Sequence, residues 1–246
     1  TRRGGSSGDG ERMTPYYKRG GVSLFHGDCL EVLSALEPSS VDATVTDPPY
    51  CAGAVSEAQR TKAAGQGLRS GTIGRFGWFV GDNMGTAGLT WLLRSVACES
   101  VRFSKPSGSL LVFCDWRMQS SLQPAIESAG VRYQGLVVWD KERLGLGAGF
   151  RCQHELVLHF TMGSPEYHDR GTPNVIRCRR VSRDERQHQT QKPVELIEQL
   201  VRVVCPVGGT VLDPAVVGLL ILAAAVAATV MRNRLAAVLL VGVTGY

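Results

Sequence analysis

The chain has 246 residues, of which 43% are hydrophobic and 20% charged, and its formal net charge is +5. That length suits one sizeable α/β domain, and the mild basicity fits a polyanionic partner without demanding one. Seven cysteines are scattered singly with no CxxC pair, which argues against a disulfide framework and a zinc site and points to reduced thiols in a cytoplasmic protein.

Residues 1–20 begin with Gly, Ser and charge and are expected to be a flexible lead-in to a single domain over 21–246. Neither a signal nor a transit peptide is visible there. VSLFHGD (22–28) reads as a strand and turn, CLEVLSAL (29–36) as a helix stopped by Pro38 and Ser39, and VDATVTD (41–47) as a strand. The strand runs into Asp47-Pro48-Pro49-Tyr50, where two prolines forbid further sheet or helix. Residues 51–88 show no sustained period, and a loop of that length is functional or disordered.

Helical spacing resumes from Leu89 to Phe103, and Lys105-Pro106-Ser107-Gly108 reads as a turn. SLLVFCD (109–115) is a buried strand, Met118 to Ala129 a helix ended by Gly130, and LVVWDK (136–141) and ELVLHFT (155–161) are strands. After the polar, Arg-rich stretch 163–190, Pro193 to Val204 is a helix with Pro at its favoured first turn. TVLDP (210–214) closes the series as a strand. Strands alternating with helices at this spacing imply a doubly wound α/β sheet.

Asp47-Pro48-Pro49-Tyr50 is the most informative segment. An exocyclic amine on a nucleobase is a weak nucleophile because its lone pair is delocalised into the ring. Two fixed acceptors, the Asp47 carboxylate and the Pro48 carbonyl, would draw on both N–H groups and favour the pyramidal, electron-rich amine. Rigid prolines hold that carbonyl at little entropic cost. Tyr50 offers a face on which an extruded base can stack. The plainer alternative is a β-turn that happens to contain these residues.

The wider sequence resembles the permuted β class of DNA amino-methyltransferases. LFHGDCLEVLSAL with VDATVTDPPY resembles the opening of that class. LLVFCDWR (110–117) and AGVRYQGLVVWDKERLGLGAGFRCQHELVL (129–158), with their W-x-K and R-x-x-H-E elements, resemble its middle. HQTQKPVELIEQLVRVVCPVGGTVLDP (188–214) resembles its cofactor half, placed by 191–246. The resemblance implies a circularly permuted, Rossmann-like three-layer sandwich around a mostly parallel sheet.

It also implies S-adenosyl-methionine as methyl donor, no metal, double-stranded DNA as partner and a flipped base as acceptor. Asp47, Pro48, Pro49 and Tyr50 would form the target-base site. Asp28 and Cys29 would lie against the donor's adenine, Lys192 and Pro193 beside its methionine part, and Asp213 and Pro214 at the strand beneath it. DPPY leans towards adenine N6. Cytosine N4, or a catalytically silent DNA-binding or partner subunit of the same fold, are the alternatives, and a homodimer is compatible with the class.

After Pro214 the family's glycine-rich loop is replaced by Ala215-Val216-Val217-Gly218-Leu219-Leu220-Ile221, where only Gly218 permits close backbone approach to a donor. LAAVLLVGV (235–243) has Leu239 or Leu240 where a ribose-binding acid is expected. A silent family member, an unusual donor contact and a fault in the assigned segment are the three readings. The abruptness of the break favours the last. Residues 215–231 are 17 uncharged positions, at the lower limit of a membrane span, but fall where a buried helix belongs.

Arg170, Arg177, Arg179, Arg180, Arg183 and Arg186 cluster in 163–190, where a target-recognition segment is expected to contact DNA, with a solvated loop as the alternative. Arg60, Lys62, Arg69 and Arg75 lie among glycines in 51–88, read as a mobile DNA-facing loop or as a surface insertion. Trp78, Phe79 and Trp91 are expected in the core or an interface, and His154 with Glu155 as a structural pair.

Overall fold

Val41–Thr46 (β3) is buried along its whole length, because it lies at the middle of a sheet covered on both faces. The computed structural model describes residues 14–48, 56–60, 84–145, 148–182, 184, 191–214 and 237–242. The other strands are β1 (Tyr17–Arg19), β2 (Val22–His26), β4 (Ser104–Cys114), β5 (Arg132–Asp140), β6 (His154–Thr161), β7 (Val175–Arg177), β8 (Thr210–Asp213) and β9 (Ala237–Gly242). Their order is β1-β2-β9-β8-β3-β4-β6-β5-β7. The contacts β2–β9, β9–β8, β8–β3, β3–β4 and β5–β7 are parallel, and β1–β2, β4–β6 and β5–β6 are antiparallel.

The helices are α1 (Cys29–Ser34), α2 (Glu57–Arg60), α3 (Gly85–Phe103), α4 (Gln119–Glu127) and α5 (Val194–Val204). β4 alternates faces, as a strand must. Leu111 and Phe113 meet Leu196, Ile197 and Leu200 of α5, while Leu110 and Val112 share a cluster with Leu89, Leu93 and Ala97 of α3 and Leu122 and Ile126 of α4. α1 joins α3 on that second side through Val32, Leu33, Val96 and Phe103. The result is the mostly parallel three-layer sandwich expected, with the β3 strand ahead of β8 in the chain.

Four local expectations are corrected. Tyr17–Arg19, inside the expected lead-in, pairs with β2, because a two-glycine turn at Gly20-Gly21, both at positive φ, returns the chain on itself. β7, in the expected loop 163–190, is a three-residue strand, too short to show a period. α3 begins at Gly85 rather than Leu89, since the Glu57 carboxylate accepts bonds from the Thr86 N–H (2.8 Å) and hydroxyl (2.6 Å). Lys105 to Gly108 is no turn between elements but an excursion within β4, whose register jumps from Val41↔Ser104 to Ala43↔Ser109. A side chain at Gly108 would come within 2.9 Å of the Lys105 carbonyl, so only glycine permits that fold-back. Trp91, expected in the core or an interface, stands 61% exposed on α3, which leaves it the interface. Trp78, Phe79 and most of 51–88 lie outside the described residues, as does 215–231. Among the described residues no helix is long and apolar enough to cross a membrane.

Candidate active site

The parallel pairing of β3 with β8 and β4 brings Asp47, Asp213 and the end of β4 to one carboxyl edge. β6 runs the other way, with Cys114 opposite Leu156, so its first residues, His154 and Glu155, reach the same edge. The chain enters α5 there through Lys192 and Pro193, which is the helix N-cap residue. Crevices at the carboxyl ends of parallel strands are where open α/β sheets hold their ligands.

Lys192 is the pivot of this edge. Its ammonium lies 2.7 Å from Oδ2 of Asp47 and 3.3 Å from Oε2 of Glu155, and Lys141 lies 3.2 Å from Oε1 of Glu155. The side chain of Lys192 is 3% exposed, against 15% for Asp47 and 22% for Glu155, so the cation is the innermost charge. Beneath it the Phe113 ring offers its face at 5.1 Å. An isolated ammonium so deeply placed would cost several kcal/mol. Burial alone would push Lys192 down, but Asp47 and then Glu155 overcome this and raise it above its ordinary value. Burial likewise favours neutral Glu155, yet Lys192 and Lys141 hold its carboxyl below the usual range. The four groups therefore form a charge-alternating chain with no net charge.

Glu155 and His154 do not form the expected structural pair. Neighbours on a strand point to opposite faces. Glu155 turns to the lysines, while His154 Nδ1 lies 3.9 Å from Cys152 Sγ. Lys141 is carried by the carboxyl end of β5, where the Trp139 indole donates to the Cys178 carbonyl at 2.7 Å. The sulfur of Cys178 accepts from the Leu196 backbone at the start of α5 and its thiol faces Glu195 at 3.6 Å, with burial and Glu195 pushing it up to about 11. Lys141 and Cys178 had no assigned role in the sequence reading, and Glu155 only that of a structural partner for His154. The W-x-K and R-x-x-H-E elements marked the first two without showing that they meet.

The other expected residues distribute unevenly. Pro48 and Pro214 are buried at the edge beside Asp47 and Asp213, and Asp213 is 1% exposed. Asp28 caps α1, accepting from Leu30 N (2.8 Å) and Glu31 N (3.3 Å). Cys29 faces the core with Val32 and Leu33, and burial, then Asp28, pushes its thiol up to about 11. Arg177, Arg179 and Arg180 are exposed at the carboxyl edge, with Arg177 4.0 Å from Asp140 and Arg179 3.6 Å from Glu142. Arg170 is exposed but belongs to the opposite edge, near His168, whose N–H donates to Val203 late in α5. Arg60 lies on α2. Pro49, Tyr50, Lys62, Arg69, Arg75, Arg183, Arg186 and Gly218 fall outside the described residues.

β9 pairs with β8 so that Leu240 stands opposite Asp213. The strand after β8 in the chain thus has leucine at the register where an acid was expected. Among the described residues no group of three His, Cys, Asp or Glu could hold a metal ion, and all six described cysteines are free.

Residues 41–218 match the family described as DNA methylase. The chain is 26% identical to the Escherichia coli (strain K12) protein YubD over 192 residues, covering 78% of this chain and 74% of that one. Among solved structures, PvuII DNA methyltransferase (cytosine-N4-specific) superposes with a TM-score of 0.68 at 15% identity, over 95% of this chain and 85% of the other. The M1.HpyAVI–SAM complex superposes with a TM-score of 0.56 at 16% identity, over 92% and 93%.

Proposed function

Because the chain belongs to the DNA methylase family, we propose that it methylates an exocyclic amine of a base extruded from duplex DNA, with S-adenosyl-methionine as donor and adenine N6 as acceptor. The observation that carries this reading is the Lys192–Asp47 bond, which fixes a carboxylate at the carboxyl end of the central strand. Asp47 accepts one N–H of the amine and the Pro48 carbonyl the other, so that the nitrogen lone pair leaves conjugation with the ring. Tyr50 stacks the base.

The residues at the edge suit the donor's charges. The α5 N-terminus carries the positive end of the helix dipole beside Lys192, a favourable setting for a carboxylate, and the buried acid Asp213 ends the strand beneath. When bound, S-adenosyl-methionine supplies an electrophilic methyl group on sulfur. Lys192, Pro193, Asp213 and Pro214 are the chain's holding residues for it, with Asp28 shaping the far side through α1. Arg177, Arg179 and Arg180 contact phosphates along the rim.

Asp47→Ala tests the reading. Methyl transfer to DNA is expected to vanish while DNA binding, measured by fluorescence anisotropy, stays largely intact; full activity in this variant would overturn the assignment. Nucleoside analysis of the wild-type product decides the acceptor: N6-methyladenine is expected, and N4-methylcytosine would move the acceptor to cytosine.

A further inference from the structure

Glu155 and Lys141 take no part in the chemistry above, yet they complete its ion chain. Asp47 alone would neutralise Lys192. The second carboxylate, 3.3 Å away, also pulls on the ammonium, and Lys141 at 3.2 Å offsets the extra negative charge. A lysine ends in a compact charge on a flexible four-carbon stem, so a single partner leaves its position loosely defined. Here the Phe113 ring lies 5.1 Å from the ammonium, and two carboxylates hold it at 2.7 and 3.3 Å. The terminal torsion of an aspartate is soft, so whatever holds Oδ2 also sets the plane of the carboxylate.

We infer that Glu155, backed by Lys141, is a positioning residue for methyl transfer: it holds the Lys192 ammonium in place and through it fixes the plane of the Asp47 carboxylate. This rests on the methylase reading, and it adds a residue that touches neither the base nor the donor. Its effect belongs in kcat, because it acts on the geometry of the reacting amine and not on the affinity for the duplex. Misplacement by about 1 Å costs on the order of 10²-fold in rate.

Transfer of tritium from labelled S-adenosyl-methionine to unmethylated bacterial genomic DNA provides the test. Glu155→Gln keeps the shape and removes the charge. It is expected to lower kcat by about 10- to 100-fold while KM for DNA changes by less than about threefold. Lys141→Met leaves Lys192 and Asp47 untouched and should lower kcat by a smaller factor, about three- to tenfold. The double variant should be no slower than Glu155→Gln alone, since Lys141 acts only through Glu155. A kcat near wild type in Glu155→Gln, a rise in KM alone, or losses that multiply in the double variant would each overturn the inference. If Glu155→Gln does not fold, Lys141→Met decides, and an unchanged kcat there counts against it. Absence of any wild-type transfer overturns the methylase reading and this role with it; wild-type transfer with unaffected variants overturns the role of Glu155 alone.

Discussion

β3 carries a carboxylate near each end, and each is paired with a lysine, yet the two ends are built in opposite senses. At the amino end Asp42 is the buried partner, 8% exposed, and Lys105 reaches it from outside at 42%. Asp42 takes both of its oxygens to Lys105, at 2.8 and 2.9 Å, and Oδ2 also accepts the Thr210 N–H at 2.8 Å. It thereby ties β3 to β4 and β8. At the carboxyl end the lysine is buried at 3% and the acid lies nearer the surface at 15%. A buried, saturated acid is a staple. A buried lysine beneath a carboxylate at a strand end is a mount, and it holds the acid towards whatever enters the crevice.

Removing the buried cation breaks this contrast most severely. Lys192→Met leaves Asp47 and Glu155 as like charges without the ammonium between them. A loss of about 3–5 kcal/mol is expected in urea unfolding at neutral pH, together with loss of methyl transfer. Asp42→Ala should act on stability alone, costing about 1–3 kcal/mol because the part-buried Thr210 N–H loses its acceptor. Its transfer rate per folded molecule should match wild type; a large fall there would show that the staple also serves the site.

The pH dependence separates the groups further. Burial pushes His159 down from 6.5 to about 4, so the unfolded chain takes up a proton that the folded chain refuses. Stability from this histidine is complete above about 6.5 and is lost as pH falls towards 4. Glu155, held below its ordinary 4.5 by the lysines against the opposing effect of burial, contributes stability above 4.5 that is lost only on further acidification. Lys192, raised above 10.5, contributes below 10.5 and loses its share as pH climbs past that raised value. Melting curves across pH should therefore show His159→Gln flattening the acid limb between 6.5 and 4. An unchanged limb would place the proton uptake elsewhere. Lys105→Met should have the smallest effect, about 1 kcal/mol, because its side chain is 42% exposed and Asp42 keeps the bond from the Thr210 N–H.

The central strands were legible because burial on both faces writes apolar runs such as LLVFC, and because VDATVT is short and bounded by turn residues. What escaped depends on contacts distant in the chain. The start of α3 needs Glu57, 29 residues before Thr86, which no local window sees. β1 and β7 have three residues each, fewer than a period needs. Asp47 stood out through its prolines, and Lys192 only through the family resemblance of the stretch that contains it. That they touch is a property of the folded sheet alone. The pairing of Glu155 was misread because adjacency in sequence to His154 suggested a partner on the wrong face of the strand.

The Lys192–Asp47 bond closes a separation of 145 residues, and this constrains how the protein is made. A nascent chain leaving the ribosome presents β3 well before Lys192, which holds Asp47, and before β8, its parallel neighbour. Parallel pairing across such a span must overcome loop closure before it is rewarded, so the sheet cannot assemble strand by strand from the N-terminus. Until then β3 has an exposed apolar edge, the kind that invites pairing with another chain. The order of elements that places β3 ahead of Lys192 and β8 thus leaves this carboxyl edge unformed until residue 213 has emerged, and a chain stopped short of it carries no assembled edge.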